Sequence, residues 1–424
     1  MKVLLLKDYF YPEQCAGIQL TNDLLEGFSK NDLEAEVFVP IPCRGIDKTT
    51  RKAYRKIKNE ILHDGKIKLH RYWLPYECKN TLLRAFRYLL QNIRQFFKGL
   101  TCKNVDIVFL GSTPPTNGIV GGWLKKAKKI PFVYNVQDVF PDSMVTAGIS
   151  KEGSFLWRIG NKIANKTYKE ADKIIVISEE MRDNLLAKGV PSEKIEIVYN
   201  WVDEEVIHPV QKENNRLIEE LNIPQYDFSV VYAGNLGRAQ SVETIIEAAE
   251  KLKDCPQIGF YIFGDGANKE LIEKSITEKG LTRVHMYPLQ PYERVSEVYS
   301  LGDASIVACK AGTGGNALPS KTWSIMACGK PVLVCFDKET MLERLTKDHE
   351  CGLFAEAENA QTLSENILSL SENKAKCEKL GKNARNYIKT YLTRKSCTAR
   401  IVAILENTKE EFDGKQNKHK RKRL

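Results

Sequence analysis

The stretch YAGNLGRAQSVETIIEAAE, residues 232–250, decides the fold of this chain. A β-rich run ends at Gly234, a turn with Asn235, Gly237 and Arg238 follows, and a helical pattern then begins. Strand, glycine turn and helix in this order are typical of a parallel α/β sheet. Glycines let the backbone approach a ligand, and a helix start beside a guanidinium favours an anion such as a diphosphate. The alternative is an ordinary tight turn with a solvent-facing Arg238.

Short β-rich runs alternate with helix-length segments along the whole chain, and the series restarts after the polar stretch QKENNRLIEELNIPQYD, residues 211–227. The restart predicts two doubly wound, Rossmann-like α/β domains whose strand ends face a common cleft. The predicted parts are an N-terminal domain at 1–205, a linker at 206–227, a second domain at 228–390, a helix at 391–412 that crosses back to the first domain, and a basic tail at 413–424.

Two further glycine turns follow strands of the second domain. YIFGDGANKE, residues 261–270, contains Gly264, Asp265 and Gly266, but Lys269 stands where a dinucleotide fingerprint requires glycine. The third turn begins at 311 and continues into GGNALPSKTWSIMACGKPVLV, residues 314–334. The polar residues of this segment are Asn316, Ser320, Lys321 and Ser324, with no carboxylate among them. Three such turns in one domain predict one phosphorylated ligand, although a plain turn explains each of them alone.

The first domain has two stretches of polar residues at strand ends. In YFYPEQCAGIQLTNDLLEGF, residues 9–28, a loop with Glu13 and Gly17 leads into a helix. In VYNVQDVFPDSM, residues 133–144, a strand ends at Gln137, Asp138 and Asp142. We interpret Asp138 as a contact to a ligand or acceptor, with a helix cap as the alternative.

Several classes of protein are disfavoured by what the chain lacks. It has no P-loop, which argues against an ATPase or kinase of that class. Its six histidines have no metal spacing, so we expect no bound metal and no cofactor. Eleven scattered cysteines without a C-x-x-C pair favour reduced core residues of a cytosolic protein. No apolar run approaches the ~18 residues that span a bilayer.

The net charge of +10 is concentrated in residues 1–103, with 19 Lys or Arg against 11 Asp or Glu, and in the basic tail. Within the first region, LLRAFRYLLQNIRQFFKGL, residues 82–100, has apolar residues at helical spacing and four cations as its only charges. A basic polar face opposite an aromatic-rich apolar face favours an anionic membrane surface, with a core-packed helix as the alternative. RKAYRKIK, residues 51–58, and KHKRKRL, residues 418–424, favour the same partner, and we expect no nucleic acid.

Taken together, these segments resemble bacterial glycosyltransferases of family 4 with the GT-B fold. The segments that carry the resemblance are AGNLGRAQSVETIIEAA, FGDG, LPSKTWSIMACGKPVLV, VISEEMRDNLLAKGVPSEKIEIVYNWVD and VQDVFPDS, in a match that spans about residues 1–410. They are most similar to the subgroup that includes N-acetyl-fucosamine transferases of O-antigen and capsule assembly.

The resemblance implies a retaining, metal-independent transfer of a hexosyl or N-acetylhexosaminyl group from a nucleoside-diphosphate sugar, with UDP as the expected nucleotide. It implies a lipid-linked saccharide acceptor and a cytoplasmic enzyme at the inner face of the cell membrane. The residues implied as catalytic are Asp138, Arg238 and Lys321. Those implied as donor-binding are Glu13, Gly17, Gly234, Asn235, Gly237, Gly264, Asp265, Gly266, Gly314, Gly315, Asn316, Ser320 and Ser324. Gln137 and Asp142 are implied on the acceptor side.

The chain departs from the family pattern at three positions. Many members carry two glutamates where this chain has Asn316 and Ser324, the later one holding the nucleotide ribose, and a histidine where it has Gln137. A hydroxyl can still bind a ribose, but a neutral contact contributes about half as much as a charged one. The alternatives are therefore a weak or inactive assembly subunit of the same fold, or a nucleotide-sugar epimerase.

Overall fold

The protein is described by a computed structural model that covers residues 1–13, 17–77, 81–146, 150–316 and 318–421. Its tertiary contacts divide the chain into two compact units, Met1–Tyr199 with Lys395–Leu424, and Asn200–Arg394. The predicted linker at 206–227 thus falls inside the second unit. It is held there because the amide of Asn215 donates to the Glu297 carbonyl at 2.7 Å and the Val210 N–H donates to Ser300 Oγ at 2.9 Å.

In its described residues, the first unit has one sheet of eight strands in the order β3-β4-β2-β1-β5-β6-β7-β8. Its strands are β1 Lys2–Leu6, β2 Glu34–Pro40, β3 Asn59–Leu62, β4 Ile67–Tyr72, β5 Ile107–Gly111, β6 Phe132–Val136, β7 Lys173–Val176 and β8 Ile195–Ile197. Every pairing is parallel except β3 with β4. Strand β3 is not evident from the sequence, because this short edge strand alternates exposed and half-buried residues and lacks an apolar run.

Helices connect these strands, as the alternation of patterns predicts. They are α1 Ile18–Lys30, α2 Lys48–Tyr54, α3 Thr81–Thr101, α4 Asn117–Lys128, α5 Asp142–Thr146, α6 Phe155–Glu170 and α7 Glu179–Ala187. The central strands are apolar on both faces, and Leu4, Leu6, Val108 and Leu110 are fully buried in the core beneath the helices. The carboxyl ends of seven parallel strands therefore lie along one edge of the sheet.

The second unit, within the residues described, has a six-stranded parallel sheet in the order β11-β10-β9-β12-β13-β14. Its elements are α8 Leu217–Glu220, β9 Phe228–Asn235, α9 Val242–Lys251, β10 Ile258–Asp265, α10 Lys269–Glu278, β11 Val284–Tyr287, α11 Val295–Ser300, β12 Ala304–Ala308, α12 Lys321–Ala327, β13 Val332–Phe336, α13 Met341–Asp348, β14 Gly352–Glu356, α14 Ala360–Glu372 and α15 Lys374–Tyr391. The strand order reverses between β9 and β12, which is where ligands bind in open sheets of this kind.

The last helix, α16 at Arg394–Arg421, belongs to the first unit from Lys395 onward. It packs closely on α1, since a Cβ added to Gly27 would lie 2.5 Å from Thr398 Cβ. The helix runs past the predicted end at residue 412 into the segment expected to be a separate tail, of which residues 422–424 lie outside the description.

Helix α3 spans the predicted segment, but its polar side faces inward. Arg87, Gln91 and Gln95 are buried, whereas most of its apolar residues are exposed to solvent and only Leu90 and Phe96 pack partly against the core among the residues described. The exposed apolar residues are Leu83, Phe86, Leu89, Ile93, Phe97 and Leu100. Arg87, expected among the cations of a basic side that meets a membrane surface, is instead 2% exposed and donates to the Pro75 carbonyl at 3.1 Å.

A buried carboxylate explains this orientation of α3. The Gln91 amide donates to Asp8 Oδ1, and the Asn117 amide donates to Asp8 Oδ2 at 3.0 Å. Burial raises the pKa of the Asp8 carboxyl to about 7, although these donors favour its charged form. Because a buried carboxylate needs such partners, α3 presents Gln91 to the sheet and turns most of its apolar residues to the outside.

None of the helices described here is long and apolar enough to cross a bilayer. The cysteines within the described ranges are free thiols, and most of them are buried, in agreement with the expected reduced core residues.

Candidate functional site

The three glycine turns of the second unit meet at the carboxyl ends of β9, β10 and β12. Gly264 and Asp265 pair in register with Gly234 and Asn235. The Leu236 N–H donates to the Asp265 carbonyl at 2.9 Å, which joins the first two turns. The Lys310 N–H donates to the Ala239 carbonyl at 2.9 Å, which joins the third turn to the first. The tertiary structure thus brings together the turns that the sequence singled out.

Two of the glycines are explained by the packing of one turn on another. A Cβ on Gly264 would lie 2.6 Å from the Gly234 carbonyl oxygen, and one on Gly266 would lie 2.6 Å from Asn235 Oδ1. Both distances are shorter than any side chain tolerates. Gly264 and Gly266 therefore let the backbone segments approach each other, whether or not a ligand is near.

Lys321, the first residue of α12, directs its ammonium group toward the end of β9. Its Nζ lies 3.9 Å from the centroid of the Tyr232 ring, and a Cβ on Gly234 would lie 3.0 Å from the same atom. This Nζ is buried and has no hydrogen-bond partner among the residues described. Burial lowers the pKa of Lys321 to about 7. A buried cation without a counter-ion is costly, so the site favours an incoming anion.

The two residues after Lys321 also carry buried polar side-chain groups. Thr322 Oγ1 and Trp323 Nε1 are also buried, and neither has a hydrogen-bond partner in the described part of the chain. Three consecutive buried polar groups without partners are unusual, because nearly all such groups in folded proteins are hydrogen-bonded. Water or a ligand is the usual partner of such groups.

Arg238 follows the first turn and begins a 3-10 turn, Arg238–Gln240. The residue is exposed, and its guanidinium forms neither an ion pair nor a hydrogen bond with the residues described. Asn235 is exposed nearby and donates to Gln240 Oε1 at 3.3 Å, while Gly237 leaves room for both side chains. The guanidinium is therefore available for a ligand.

The third turn is held by two carboxylates that the sequence analysis did not identify. The Gly312 and Gly314 N–H groups donate to the two oxygens of Asp337, at 2.9 Å and 2.7 Å. Glu358 accepts from the Ala311 N–H at 3.2 Å and from the Ser241 hydroxyl at 3.4 Å. The backbone N–H of Gly314, a residue implied as donor-binding, is thus bonded to Asp337. Asp337 follows β13 directly, and Glu358 lies two residues after the end of β14. Their positions at strand ends could have identified both acids as candidates.

The remaining residues implied as donor-binding in the second unit form fewer hydrogen bonds with the described residues. Gly315 and Ser320 are exposed, and Ser324 is half-buried with its hydroxyl unbonded to any described residue. Asn316 ends the 3-10 turn Gly314–Asn316, and its side chain lies outside the description. Asp265 is exposed, and its Oδ1 accepts from the Gly266 N–H at 2.9 Å.

In the first unit, the Glu13 carboxylate accepts hydrogen bonds from nearby backbone N–H groups. Its buried carboxylate accepts from the Phe10 N–H at 3.1 Å, the Cys43 N–H at 2.7 Å and the Arg44 N–H at 2.9 Å. These bonds tie the loop after β1 to the segment after β2. Gly17 precedes α1 with a φ of 83°, a left-handed conformation that favours glycine.

Asp138 and Gln137 lie at the carboxyl end of β6. The Ser112 hydroxyl accepts from both backbone N–H groups, at 3.0 Å for Gln137 and 3.4 Å for Asp138. Asp138 is exposed, and its carboxylate has no hydrogen-bond partner among the residues that the structure describes. The Asp138 carboxylate is thus accessible, while the Ser112 hydroxyl holds the Asp138 backbone in place. The sequence did not single out Ser112.

Asp142 has a different environment from Asp138. Its Oδ2 accepts from Lys188 Nζ at 2.6 Å and from the Asn184 amide at 2.9 Å. These contacts join α5 to α7, so they give the Asp142 carboxylate a structural role. Within the described ranges, no group of three or more His, Cys, Asp or Glu residues is placed to hold a metal ion.

Two family models match consecutive parts of the chain. The model Glycosyltransferase Family 4 matches residues 19–206, and the model Glycosyl transferases group 1 matches residues 213–387. The first match contains strands β2 to β8 of the first sheet, and the second match contains strands β9 to β14 of the second sheet.

Three curated relatives match over different lengths. The "Probable glycosyltransferase WbjE" of Pseudomonas aeruginosa is 25% identical over 74% of this chain and 73% of its own length. WcaI of Escherichia coli, named as a colanic acid biosynthesis glycosyl transferase, is 30% identical over 50% of this chain and 53% of its own. The N,N'-diacetylbacillosaminyl-diphospho-undecaprenol alpha-1,3-N-acetylgalactosaminyltransferase of Campylobacter jejuni is 24% identical over 83% and 86%.

Solved structures show the same fold. HepE of Anabaena, in complex with UDP and glucose, superimposes with a TM-score of 0.70 at 16% identity, over 96% of this chain and 100% of that one. The two Rossmann-like domains expected from the sequence are confirmed. The chain thus carries a domain that matches Glycosyltransferase Family 4 and a domain that matches Glycosyl transferases group 1, in the two-domain fold of GT-B glycosyltransferases.

Proposed function

We propose that this protein is a retaining glycosyltransferase that moves a sugar from a nucleoside-diphosphate sugar, with UDP as the nucleotide, to a lipid-linked saccharide in cell-surface polysaccharide assembly. The observation that carries the proposal is the buried ammonium of Lys321, which lies beside Gly234 at the switch point of the second sheet without a hydrogen-bond partner among the described residues.

The charge distribution supports a diphosphate as the ligand of the second unit. The Nζ of Lys321 is buried, and desolvation is the cause that lowers its pKa, so none of the described carboxylates lies close enough to compensate its charge. Arg238 adds an exposed guanidinium at the neighbouring turn. Two cations at the switch point suit a diphosphate, whose oxygens accept charge-assisted hydrogen bonds.

The same cations would act on the reaction itself. When the anomeric C–O bond to the diphosphate breaks, negative charge develops on the leaving group, and fixed cations stabilise it without reorganisation. In a retaining transfer the acceptor hydroxyl attacks from the side of the leaving group. Its oxygen bonds to the anomeric carbon while its proton passes to a diphosphate oxygen. We propose that this chemistry proceeds without a metal ion.

The first unit would supply the contacts to the transferred sugar and the acceptor. Asp138 has an open carboxylate that can accept hydrogen bonds from sugar hydroxyls, and Gln137 is its neighbour. The relatives support the substrate class. One acts on an undecaprenol diphosphate-linked sugar by its name, and another is named for colanic acid biosynthesis. The sugar would be a hexosyl or N-acetylhexosaminyl group.

We further propose that the protein is cytoplasmic and binds peripherally to the inner face of the cell membrane. The exposed apolar side of α3 supports this, because Phe86 and Phe97 are 60% and 58% exposed. Helix α4 packs between α3 and α6 and exposes Trp123, and α6 exposes Phe155. The same three helices also carry exposed cations, at Arg84 and Lys98 of α3, Lys126 of α4, and Arg158, Lys162 and Lys166 of α6. Exposed apolar residues together with cations suit an anionic lipid surface.

A weakly active or inactive assembly subunit is the second candidate, because Ser324 offers only an unbonded hydroxyl where a carboxylate is expected. Turnover separates the two. The purified full chain is offered UDP-, GDP- and dTDP-sugars with short undecaprenyl-diphosphate-linked acceptors, and nucleotide release and product mass are measured. No turnover and no nucleotide binding with any donor would remove the transferase assignment. Binding without turnover would favour the subunit.

Arg238→Ala tests the site within the same assay. We expect kcat/KM to fall by at least about tenfold, because a preorganised cation is removed from the leaving group. Lys274→Ala is the matched control, since Lys274 is an exposed cation on α10 of the same unit. Equal kinetics for the two variants would exclude Arg238 from the site.

A further inference from the structure

A pocket lies in the first unit, at the carboxyl ends of β2 and β4. Its volume is about 380 Å³, within the usual range for small-molecule sites. It is lined by Ile41, Arg55, Ile57, Lys58, Arg71 and Trp73. Three of these residues are cationic and three are apolar, so the lining suits a ligand with an anionic group joined to an apolar part.

Arg71 is the fixed part of this lining. Its Nε donates to Glu60 at 2.6 Å, its Nη2 donates to the Tyr11 carbonyl at 2.8 Å, and its guanidinium stacks on the Tyr54 ring at 4.6 Å. The remaining nitrogen, Nη1, is buried with no hydrogen-bond partner in the described part of the chain. The guanidinium is therefore held in place with donor capacity unused.

Arg55 and Lys58 leave the pocket with excess positive charge. Both side chains are exposed, and neither has an ion-pair or hydrogen-bond partner within the described ranges. Glu60 compensates Arg71 but not these two residues. Arg51, in the same basic segment, is instead buried and donates to the carbonyls of Pro42 and Leu74. Arg51 thus has a structural role, while Arg55 and Lys58 are free to bind an anion.

The apolar side of the pocket adjoins α3. Trp73 is 47% exposed, its carbonyl accepts from Arg94 Nη1 of α3 at 2.7 Å, and the Arg94 guanidinium lies 5.3 Å from its ring. Ile93 and Phe97, on either side of Arg94 in the sequence, belong to the exposed apolar side of α3. A chain that lies on α3 could therefore place a phosphorylated end in this pocket.

We propose that this pocket binds the isoprenyl diphosphate group of the lipid-linked acceptor, with Arg55, Lys58 and Arg71 on the diphosphate and Trp73 and Ile57 against the first isoprene unit. The proposal rests on the proposed function for its lipid-linked acceptor. It assigns the acceptor diphosphate to a site on the first sheet, separate from the donor diphosphate at Arg238 and Lys321 on the second sheet.

Calorimetry with farnesyl diphosphate, a short soluble isoprenyl diphosphate, tests the pocket on the full chain. Saturating UDP is present throughout, so that the donor site is filled. We expect binding to weaken by about tenfold or more in Arg55→Ala/Lys58→Ala, because two charge-assisted contacts are lost. The matched control is Lys52→Ala/Lys56→Ala, which removes two exposed cations of the same segment that do not line the pocket. The control should bind within about twofold of the unchanged protein.

Two further soluble probes, farnesol and inorganic pyrophosphate, show which part of the ligand the pocket recognises. Farnesol should bind poorly, and inorganic pyrophosphate should bind more weakly than farnesyl diphosphate but lose affinity in the same double variant. No binding of farnesyl diphosphate, or equal affinity in the two double variants, would overturn the proposal. Pyrophosphate binding as tight as farnesyl diphosphate would indicate a simple anion site and overturn it as well.

Vesicles containing phosphatidylglycerol test the remaining source. If only these vesicles distinguish the two double variants, the pocket binds a phospholipid headgroup and the proposal is wrong. UDP binding to the unchanged protein is measured separately. Its failure would contradict the proposed function, whereas failure of farnesyl diphosphate to bind would contradict only the pocket.

Discussion

Lys321 and Tyr232 form a cation–π pair in the second unit, with Lys321 Nζ 3.9 Å from the centroid of the Tyr232 ring. Tyr232 lies near the end of β9, and its hydroxyl donates to the Asn235 carbonyl at 2.8 Å, which fixes the ring below the first turn. An aromatic face attracts a cation but does not replace a hydrogen-bonded counter-ion. The pair thus holds an ammonium in place for an anion that the fold itself does not supply.

UDP affinity should depend on pH through Lys321. Burial lowers the pKa of Lys321 to about 7, so its amine is largely neutral at pH 8 before UDP binds. A bound diphosphate favours the ammonium form, so binding should take up close to one proton at pH 8 and weaken as the pH rises above 7. Calorimetry in two buffers with different ionisation enthalpies measures this uptake. Lys321→Arg, which stays charged, should abolish it, and zero uptake by the unchanged protein would contradict the prediction.

Removal of the buried charge should stabilise the second unit. The folded chain binds fewer protons at Lys321 than the unfolded chain between pH 7 and the ordinary lysine range. The stability contributed by this group therefore rises with pH through that window and is lost as the pH falls through about 7. Lys321→Met keeps the apolar stem but removes the charge, so we expect a higher Tm at pH 6 and a smaller increase in Tm at pH 9. Each kcal/mol gained in the free energy of unfolding should raise Tm by about 2–4 °C. Lys274→Met, at an exposed site, should change neither, and a lower Tm for Lys321→Met at pH 6 would contradict the account.

Asp337 should order the third glycine turn. Asp337→Asn replaces one acceptor oxygen with an amide that faces a backbone N–H, which costs about 1–3 kcal/mol. We expect faster hydrogen exchange at Gly312 and Gly314 and a KM for the donor that is raised about tenfold. Glu356→Gln is the control, because Glu356 is an exposed carboxylate at the end of β14 that pairs with Lys338. Unchanged exchange in Asp337→Asn would show that the turn does not depend on this carboxylate.

The exposed side of α3 should carry membrane binding. Phe86→Glu/Phe97→Glu places two charges on this side, and we expect vesicle binding with phosphatidylglycerol to fall by at least about tenfold in a flotation assay. Thermal stability should be retained, because both residues are largely exposed. Leu271→Glu is the control, since Leu271 is 62% exposed on α10 of the second unit. Equal flotation of the double variant and the control would contradict the assignment of α3 to the membrane.

The sequence predicted the fold of this protein well because the fold depends on local patterns. Buried parallel strands are continuous apolar runs, and the turn after β9 requires the glycines that the sequence shows. Edge strand β3 was missed because Asn59 and Ile61 face solvent and leave no such run. The burial of the polar side of α3 was also missed, since contacts between residues far apart in sequence, such as Gln91 with Asp8 and Arg87 with the Pro75 carbonyl, make this side the inner one.

Individual site residues were harder to predict than the turns that carry them. Glu13 and Asp142 have the residue type of a ligand contact, but their carboxylates are occupied by backbone amides and by Lys188. Asp337 and Glu358 were not selected, although they bond the turn that the sequence singled out. A sequence shows which groups a strand end carries, but not which of them are already hydrogen-bonded.

By itself, the sequence determined two α/β units, three glycine turns at strand ends and a cation, Lys321, near the third of them. These follow from residue periodicity and backbone conformation, which depend on neighbours along the chain. Only the tertiary structure decided that the three turns meet, that Lys321 is buried over Tyr232, and that Asp337 rather than a ligand bonds the Gly314 amide. Burial and hydrogen-bond partners depend on residues far apart in sequence, and the packing of strands and helices alone brings those residues together.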